Sequence, residues 1–282
     1  MDRSDAARLS ARMPIALTIA GSDSGAGAGI QADLKTFAAL GIYAASVVTA
    51  ITAQNTRGVR AVHLVPPDVV AAQIAAVMED FAVAAIKIGM LGSPGIVDVL
   101  ADALKSASGE GAVRVIVYDP VMAASSGDAL SGAGFVDAIR SRLLPLVDLL
   151  TPNLAEAATL LGEPNAAGEA DMARQGGALI RLGPRAVLMK GGHLEGDEAV
   201  DVLVTADGAR RFAAPRLRSD NLHGTGCTLS SAIAAYLVQG EPLPEAVRLA
   251  KDFVRQAIER ARDVRLGAGA GPLLQAPLQV RR

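Results

Sequence analysis

Short apolar runs alternate with amphipathic segments along most of the chain. Six of the runs have the aliphatic and β-branched composition of strands that are buried on both faces. They cover residues 15–20, 44–53, 85–88, 113–118, 147–150 and 186–189. The amphipathic segments repeat apolar residues every three or four positions, which predicts helices. They cover residues 30–37, 94–105, 134–143, 154–161 and 172–182.

This alternation predicts an α/β fold with three layers (αβα), in which helices flank a mostly parallel central sheet. A more polar strand at 59–65 and a hairpin over 198–214 extend the sheet. Asp68 is a candidate cap for a helix that ends near Phe81, and residues 243–262 form a closing helix.

The chain carries neither an internal repeat nor a stretch with the composition of a linker between domains. We therefore expect one domain over residues 14–265. Residues 1–13 are mainly Arg, Ala, Ser and Asp, and residues 267–271 are rich in Gly and Ala, so we expect flexible tails at 1–13 and 266–282.

A glycine-rich turn at residues 221–231 runs straight into an apolar helix. Gly224 and Gly226 allow the backbone to approach a ligand closely, and the unpaired N–H groups of a helix start attract anions. The turn therefore predicts an anion cradle. The alternative is an ordinary helix start, with Thr225 as the cap and Cys227 as a small buried residue.

Composition narrows the possible partners. The chain has 282 residues, a formal net charge of −2, and no run of basic residues interleaved with aromatics, which argues against nucleic acid. No apolar run is long enough to cross a membrane. A single cysteine fits a reducing compartment, so we expect a cytoplasmic protein, and we also expect a homodimer. His63, His193 and His223 lack the spacing of a zinc site.

The glycine-rich loop at 21–29 follows the first strand but fits neither familiar phosphate motif. In the register that starts at Gly25 the sixth position is Ile30, so the dinucleotide fingerprint fails. No Lys in the chain follows a Gly, which excludes a Walker A loop. We expect the glycines to bring the backbone of this loop close to another group, in neither of these two phosphate-binding arrangements.

Polar residues near other strand ends suggest a site for a small ring compound. Asp33 on the first helix and Gln54 after the second strand supply groups that read amino groups and ring nitrogens. They can equally be a helix-face carboxylate and a loop amide. Met90 is either an apolar wall of that site or core filler.

A second polar set suits a polyphosphate. Lys190 and the flexible Gly192 come at the end of a strand, where Lys binds phosphate oxygens or extends to solvent. Asn153 and Glu156, three residues apart at a helix start, either hold Mg²⁺ and its water shell or form a capping box. Together these features suggest phosphoryl transfer to a small polar ring compound.

The motifs resemble those of the hydroxymethylpyrimidine/phosphomethylpyrimidine kinases of thiamine biosynthesis, in the ribokinase-like superfamily. The resemblance extends from about Ile15 to Ile258. The matching segments are LTIAGSD at 17–23, AGIQADLK at 28–35, TAQNT at 52–56, KIGML at 87–91, DPVM at 119–122, TPNL at 151–154, KGGH at 190–193 and HGTGCT at 223–228.

The resemblance implies ATP-dependent phosphorylation of a small-molecule pyrimidine, 4-amino-5-hydroxymethyl-2-methylpyrimidine, and of its monophosphate, with Mg²⁺. It implies that Asp33 and Gln54 read the aminopyrimidine, in a pocket lined by Gly21, Met90 and Val121. The implied phosphate ligands are Lys190, Gly192 and the turn of Gly224, Thr225, Gly226 and Cys227, and Asn153 and Glu156 are implied near Mg²⁺, through water.

Cys227 stands where most of the superfamily has an aspartate base, and the resemblance gives it that role. We expect the helix start to lower its pKa from about 8.5. The chain departs from the family at Ser24-Gly25-Ala26, at Ser125 and in its tail, which lacks the usual closing His. The alternative functions are a pyridoxal kinase and a non-catalytic pyrimidine sensor.

Overall fold

Nine strands form one sheet in the order β3-β2-β1-β4-β5-β6-β7-β8-β9. The structure is a computed structural model, and it describes residues 13–108, 113–122, 134–192 and 194–277. The strands are β1 (Ile15–Asp23), β2 (Tyr43–Asn55), β3 (Gly58–Leu64), β4 (Val83–Ile88), β5 (Val115–Tyr118), β6 (Leu149–Leu150), β7 (Ala186–Gly191), β8 (Glu198–Thr205) and β9 (Gly208–Pro215).

The centre of the sheet, from β2 to β7, is parallel. At the two edges β3 pairs antiparallel with β2, and β8 and β9 form the antiparallel hairpin that the sequence predicts. Because parallel strands end at the same edge of a sheet, the loops after β1, β4, β5, β6 and β7 come together there. This edge carries the candidate site.

Helices follow most of the strands, at or near the predicted bounds. They are α1 (Gly29–Ala39), α2 (Pro67–Met78), α3 (Pro94–Ser108), α4 (Phe135–Ala138), α5 (Leu154–Leu161), α6 (Glu169–Ile180), α7 (Thr225–Val238) and α8 (Leu243–Ala261). Helix α4 continues into a π-helical turn at Ile139–Leu143. No helix in the described part of the chain is long and apolar enough to cross a membrane.

Two apolar cores lie on opposite faces of the sheet, which confirms the three-layer prediction. Helices α2 to α6 pack on one face, where Ile19, Ile88 and Leu100 are fully buried. Helices α1, α7 and α8 pack on the other, around Phe37 and Ile233. The strands between them are buried on both sides, which explains why they read as continuous apolar runs.

Asp68 does not cap α2. Pro66 is the N-cap residue, its side chain makes no capping bond, and Pro67 begins the helix. Asp68 lies in the first turn, where its charge still favours the helix dipole. The helix ends at Met78, short of Phe81.

The C-terminal segment differs from the flexible tail that the sequence predicts. Leu273 and Gln275 are buried, and Gln275 Nε2 donates to Thr228 Oγ1 at 3.1 Å. The Arg260 guanidinium donates to the carbonyls of Leu274 and Gln275. Gly267, Gly269 and Gly271 have no Cβ, so their backbone lies close to Thr56 and Asn221. The glycines that suggest a flexible tail here allow close packing.

Three predicted features lie outside the described residues. They are the tails at 1–12 and 278–282, the loop at 123–133 with Ser125, and His193.

Candidate active site

A small apolar cluster lies near the carboxyl ends of β1, β2 and β4, where the resemblance implies the wall of a substrate pocket. Met90 and Ala50 are buried against each other, and Val121 packs on them. A Cβ at Gly21 would lie 3.1 Å from Met90 Sδ, so a larger residue there would press on the pocket wall. The structure thus brings together Gly21, Met90 and Val121, which the resemblance assigns to one pocket.

Gln54 lies near the polar end of this region, at the end of β2. Ser24 Oγ accepts from Gln54 N–H and donates to Gln54 O, which fixes the backbone at 2.8 and 2.7 Å. The carboxamide lies 3.3 Å from His223 Nε2 and 3.1 Å from Thr52 Oγ1. Gln54 therefore connects the end of β2 to the turn that begins α7.

Asp33 is not available to a substrate, contrary to the sequence prediction. Its side chain is 0% exposed, and Lys87 Nζ donates to both carboxylate oxygens at 2.8 and 2.9 Å. Thr18 Oγ1 and Ser231 Oγ donate to the same carboxylate. Asp33 is buried with Ile30 and Phe37 on one stripe of α1, and that spacing is the signal that could have placed it.

Lys87 is a buried residue that the sequence reasoning did not weigh. A lysine inside an apolar strand is a signal in itself, since a buried ammonium requires a partner. Burial lowers its pKa and the charges of Asp33, Cys227 and Asp119 raise it, with a net rise. Lys87 therefore carries a positive charge beneath the start of α7.

Asp23 organises the glycine-rich loop after β1, and sequence reasoning missed it. Its carboxylate accepts N–H bonds from Gly25, Gly27 and Ala28 at 2.8 to 3.0 Å. His223 Nε2 lies 3.0 Å from Asp23 Oδ2. Burial raises the pKa of Asp23, but these hydrogen bonds outweigh it and the net pKa is lowered. An aspartate that opens a run of glycines is the signal for such a loop.

The turn before α7 fits closely against this loop. Gly224 is the N-cap residue with φ +88°, and a Cβ there would collide with Gly27 O. No side chain caps the helix, so Thr225 is not the cap that the alternative interpretation requires. A Cβ at Gly226 would lie 3.2 Å from Lys190 Nζ, so the helix start and the lysine face the same space.

Cys227 is half-buried at this helix start. Burial raises the pKa of its thiol to about 11, although Lys87 and the Gly29 N–H lower it. The expectation that the pKa of Cys227 is lowered from about 8.5 is therefore wrong. Burial of the thiol is the largest cause of this rise, and the negative charges of Asp33 and Asp119 add to it.

Lys190 lies between two carboxylates. Its Nζ is 2.5 Å from Asp119 Oδ1 and 3.7 Å from Glu156 Oε2. Both charges raise the pKa of Lys190 against the effect of burial. Gly192 lies two residues later, and the Arg216 guanidinium donates to its carbonyl. The sequence reasoning gave Arg216 no role.

Asn153 and Glu156 form the capping box that the sequence left as an alternative. Asn153 Oδ1 accepts from Glu156 N–H at 2.9 Å, and Glu156 Oε2 accepts from Asn153 N–H at 2.7 Å. One Glu156 oxygen also faces Lys190, so the capping box and the ion-pair cluster share this carboxylate.

Comparison with known proteins decides the family. Residues 23–274 match the phosphomethylpyrimidine kinase family. The hydroxymethylpyrimidine/phosphomethylpyrimidine kinase of Rhizobium meliloti is 53% identical over 259 residues, which cover 92% of this chain and 96% of the relative. The Escherichia coli enzyme of the same name is 48% identical, with the same shares covered. This chain belongs to the phosphomethylpyrimidine kinase family.

Solved structures agree with this family. The phosphomethylpyrimidine kinase of Clostridium difficile has a TM-score of 0.76 at 44% identity, covering 87% of this chain and 99% of its own. An ADP complex of Bacillus subtilis pyridoxal kinase has a TM-score of 0.83 at 34% identity, covering 93% and 97%. The fold is therefore the ribokinase-like fold that the sequence predicts.

For a phosphomethylpyrimidine kinase, the cluster of Asp119, Glu156 and Lys190 is the place to test for Mg²⁺. No group of three His, Cys, Asp or Glu residues within the described ranges could hold a metal ion alone. Burial and the charge of Asp119 raise the pKa of Glu156 to about 7, although Lys190 lowers it. A carboxylate whose pKa is raised beside a second carboxylate fits a hard cation that brings phosphate and water as its other ligands.

Proposed function

We propose that this chain transfers the γ-phosphoryl group of ATP to 4-amino-5-hydroxymethyl-2-methylpyrimidine, and then to its monophosphate, giving the diphosphate used in thiamine diphosphate biosynthesis. The curated relatives are named for both kinase activities, and this chain covers nearly their whole length. The proposal takes their activity as the activity of this chain.

One observation carries the proposal. Gln54, at the end of the strand that carries Ala50 of the apolar cluster, contacts His223 beside the turn at Gly224 that begins α7, and Lys190 faces the same turn. A ring compound in the pocket can place its hydroxymethyl group at a helix start, where N–H groups and an ammonium meet negative charge. Substrate and phosphate would then meet at the first turn of α7.

In the proposed mechanism, the substrate oxygen attacks the γ-phosphorus in line, and charge grows on the transferring oxygens. The first N–H groups of α7, at Thr225, Gly226 and Cys227, and Lys190 stabilise that charge. Because the transition state is loose, the substrate hydroxyl keeps its proton until late in the transfer. Cys227 accepts that proton as the thiolate, after its thiol has released its own proton to water; the raised pKa makes this thiolate a minor form but a strong proton acceptor.

Mg²⁺ belongs to the proposal as the partner of ATP. Asn153 and Glu156 would hold it through water, and when bound it neutralises phosphate charge. The titration of Glu156 near pH 7 would respond to such a cation.

The proposal also covers the location and the oligomeric state of the protein. We expect it to act in the cytoplasm as a homodimer. Exposed apolar side chains along the β2–β3 edge, at Ile51, Val62 and Leu64, support self-association. Light scattering on the purified chain measures the mass in solution, and a monomeric mass at micromolar concentration would contradict the dimer.

The test is ADP release with three acceptors: hydroxymethylpyrimidine, its monophosphate and pyridoxal. We expect both pyrimidines to support turnover and pyridoxal to support less. Higher kcat/KM with pyridoxal would favour a pyridoxal kinase, which shares this fold. A non-catalytic sensor would bind the pyrimidine without releasing ADP, although its intact Gly224 to Cys227 turn argues for transfer.

A further inference from the structure

Three side chains from separate segments meet at the polar end of the pocket. His223 Nε2 is 3.0 Å from Asp23 Oδ2 and 3.3 Å from Gln54 Nε2. The other end of the carboxamide, Gln54 Oε1, is 3.1 Å from Thr52 Oγ1. One imidazole nitrogen therefore faces both a carboxylate and an amide NH₂ group. The carboxylate requires a hydrogen on this nitrogen, whereas the NH₂ group requires a lone pair there.

The carboxylate decides where the imidazole proton lies. Asp23 is ionised, because three backbone N–H groups donate to it and its pKa is lowered despite burial. A carboxylate accepts hydrogen bonds and donates none, so His223 must carry a hydrogen on Nε2. This holds for the neutral and for the protonated imidazole alike.

The same hydrogen conflicts with an amide nitrogen at 3.3 Å. Two donors would then face each other, His223 Nε2–H and the NH₂ group of Gln54. The Thr52 hydroxyl also lies 3.0 Å from Ser22 O, to which its single hydrogen can be donated. Thr52 Oγ1 can then accept from an NH₂ group, but it cannot also donate to a carbonyl.

We propose that the Gln54 carboxamide takes the reverse orientation, with Oε1 toward His223 and Nε2 toward Thr52. Oxygen and nitrogen of a carboxamide have nearly the same shape, so the hydrogen-bond network decides between them. In this orientation Asp23 Oδ2 and Gln54 Oε1 share the single His223 Nε2–H as acceptors, and Gln54 donates to Thr52 Oγ1. Asp23 and His223 are thus positioning residues that set the polarity of Gln54.

This polarity selects how a ring is held, an inference that rests on the proposed function. Gln54 retains one lone pair and one N–H, which match the amino group and the adjacent ring nitrogen of a 4-aminopyrimidine. Because the carbonyl lies on the His223 side, the amino group lies there too. The hydroxymethyl group is next to the amino group on the ring, so it points toward Gly224 and the start of α7.

The reverse polarity would direct the hydroxymethyl group toward Thr52, away from the helix start. It would also match a 4-oxo ring, which presents an acceptor oxygen and a ring N–H. With the hydroxymethyl group toward Gly224, His223 therefore favours the 4-amino compound over its 4-oxo analogue, 5-hydroxymethyl-2-methylpyrimidin-4(3H)-one, which pairs with Gln54 only when its ring is turned over.

Calorimetric binding of these two compounds tests the inference. In the unaltered protein we expect the 4-oxo compound to bind at least ~10²-fold more weakly, because its polar groups face like groups of Gln54 when its hydroxymethyl group points toward Gly224, and the turned-over ring loses the helix start as a partner for that group. In His223→Leu the carboxamide can rotate, and the ratio of the two dissociation constants should fall at least about tenfold. His63→Leu, on the exposed edge strand β3, should leave the ratio unchanged.

Equal weakening of both compounds in His223→Leu would overturn the inference, since it would reveal a structural role alone. A ratio near one in the unaltered protein would overturn it without any variant. A second measurement needs no ligand: NOEs from the Gln54 NH₂ protons, assigned by their loss in Gln54→Met. They should reach the Thr52 methyl group, and NOEs to the His223 ring instead would overturn the inference. Failure of pyrimidine turnover would refute the proposed function, but the ratio of dissociation constants and the NOEs would still test this inference.

Discussion

Asp33 binds Lys87 through both carboxylate oxygens, and neither side chain is exposed. Removing the charge of Asp33 while keeping its shape leaves a buried ammonium without its counter-charge. We expect Asp33→Asn to lower the free energy of unfolding by about 3–5 kcal/mol in urea denaturation.

An exposed ion pair provides the matched control. Arg142 Nε lies 3.4 Å from Asp98, whose side chain is 53% exposed. Asp98→Asn should cost less than ~1 kcal/mol. Adding Lys87→Met to Asp33→Asn should recover part of the loss, and a purely additive double variant would contradict the account of the buried pair.

The Cys227 thiol should react slowly in the ligand-free protein. Its pKa is raised to about 11, so few molecules carry the thiolate at pH 7.5. We expect alkylation by iodoacetamide to be on the order of 10²-fold slower than for free cysteine, with a rate that climbs up to about pH 11. Because Cys227 is the only cysteine, the signal needs no correction. A plateau below pH 8 would contradict the raised pKa.

Cys227→Ala should lower kcat far more than it weakens pyrimidine binding. The proposed role is acceptance of a proton late in transfer, which contributes typically ~10²-fold or more to the rate. Steady-state kinetics with calorimetry separate the two effects. Turnover equal to that of the unaltered protein would remove Cys227 from the mechanism.

Glu156 should make the protein less stable as pH rises through its titration. Its pKa of about 7 in the folded protein lies above the ordinary value of 4.5, so the folded state binds more protons between those values. Stability from this group is therefore greatest below about pH 4.5 and is lost as pH rises to about 7. Glu156→Gln keeps an acceptor for the capping box and should remove this slope, raising stability at pH 8 by about 1–3 kcal/mol.

The control for this change is Glu163→Gln, because Glu163 pairs with Arg174 on the surface. Urea denaturation of that variant from pH 5 to pH 8.5 should follow the unaltered protein. An unchanged slope in Glu156→Gln would contradict the assignment of the slope to Glu156.

Ala26 is the one non-glycine residue in the described part of the chain with a positive φ, at +58°. This conformation costs an L-residue about 1–2 kcal/mol, whereas glycine adds entropy to the unfolded chain. We expect Ala26→Gly to be neutral or stabilising by up to ~1 kcal/mol. Ala76→Gly, at an exposed position inside helix α2, should instead lower stability by about 1 kcal/mol, so thermal melts of the pair separate strain from composition.

The sheet could be predicted from the sequence because its strands are buried on both faces and read as apolar runs. Helix α5 matched its predicted bounds at Leu154 and Leu161, since its capping box and following glycine mark both ends. The turn at Gly224 was found for the same kind of reason, namely glycines before an apolar stripe. Local patterns of this kind are sufficient to place elements.

The partners of charged groups could not be predicted in the same way. Asp33 and Lys87 are 54 positions apart. They meet because α1 packs on β1 and β4 pairs with β1 in the sheet. The raised pKa of Cys227 depends on burial and on the charges of Asp33 and Asp119, and Asp119 comes directly after β5. No local pattern around Cys227 reports these causes. Asp23 and His223 are 200 positions apart, so their contact follows from the fold alone.

The central claim concerns two successive phosphoryl transfers in one site. Phosphorus NMR of a reaction with hydroxymethylpyrimidine, ATP and Mg²⁺ observes both products directly. We expect a monophosphate ester signal that appears first and declines as the coupled signals of the diphosphate rise. Steady ATP consumption without a signal from either pyrimidine phosphate would contradict the account.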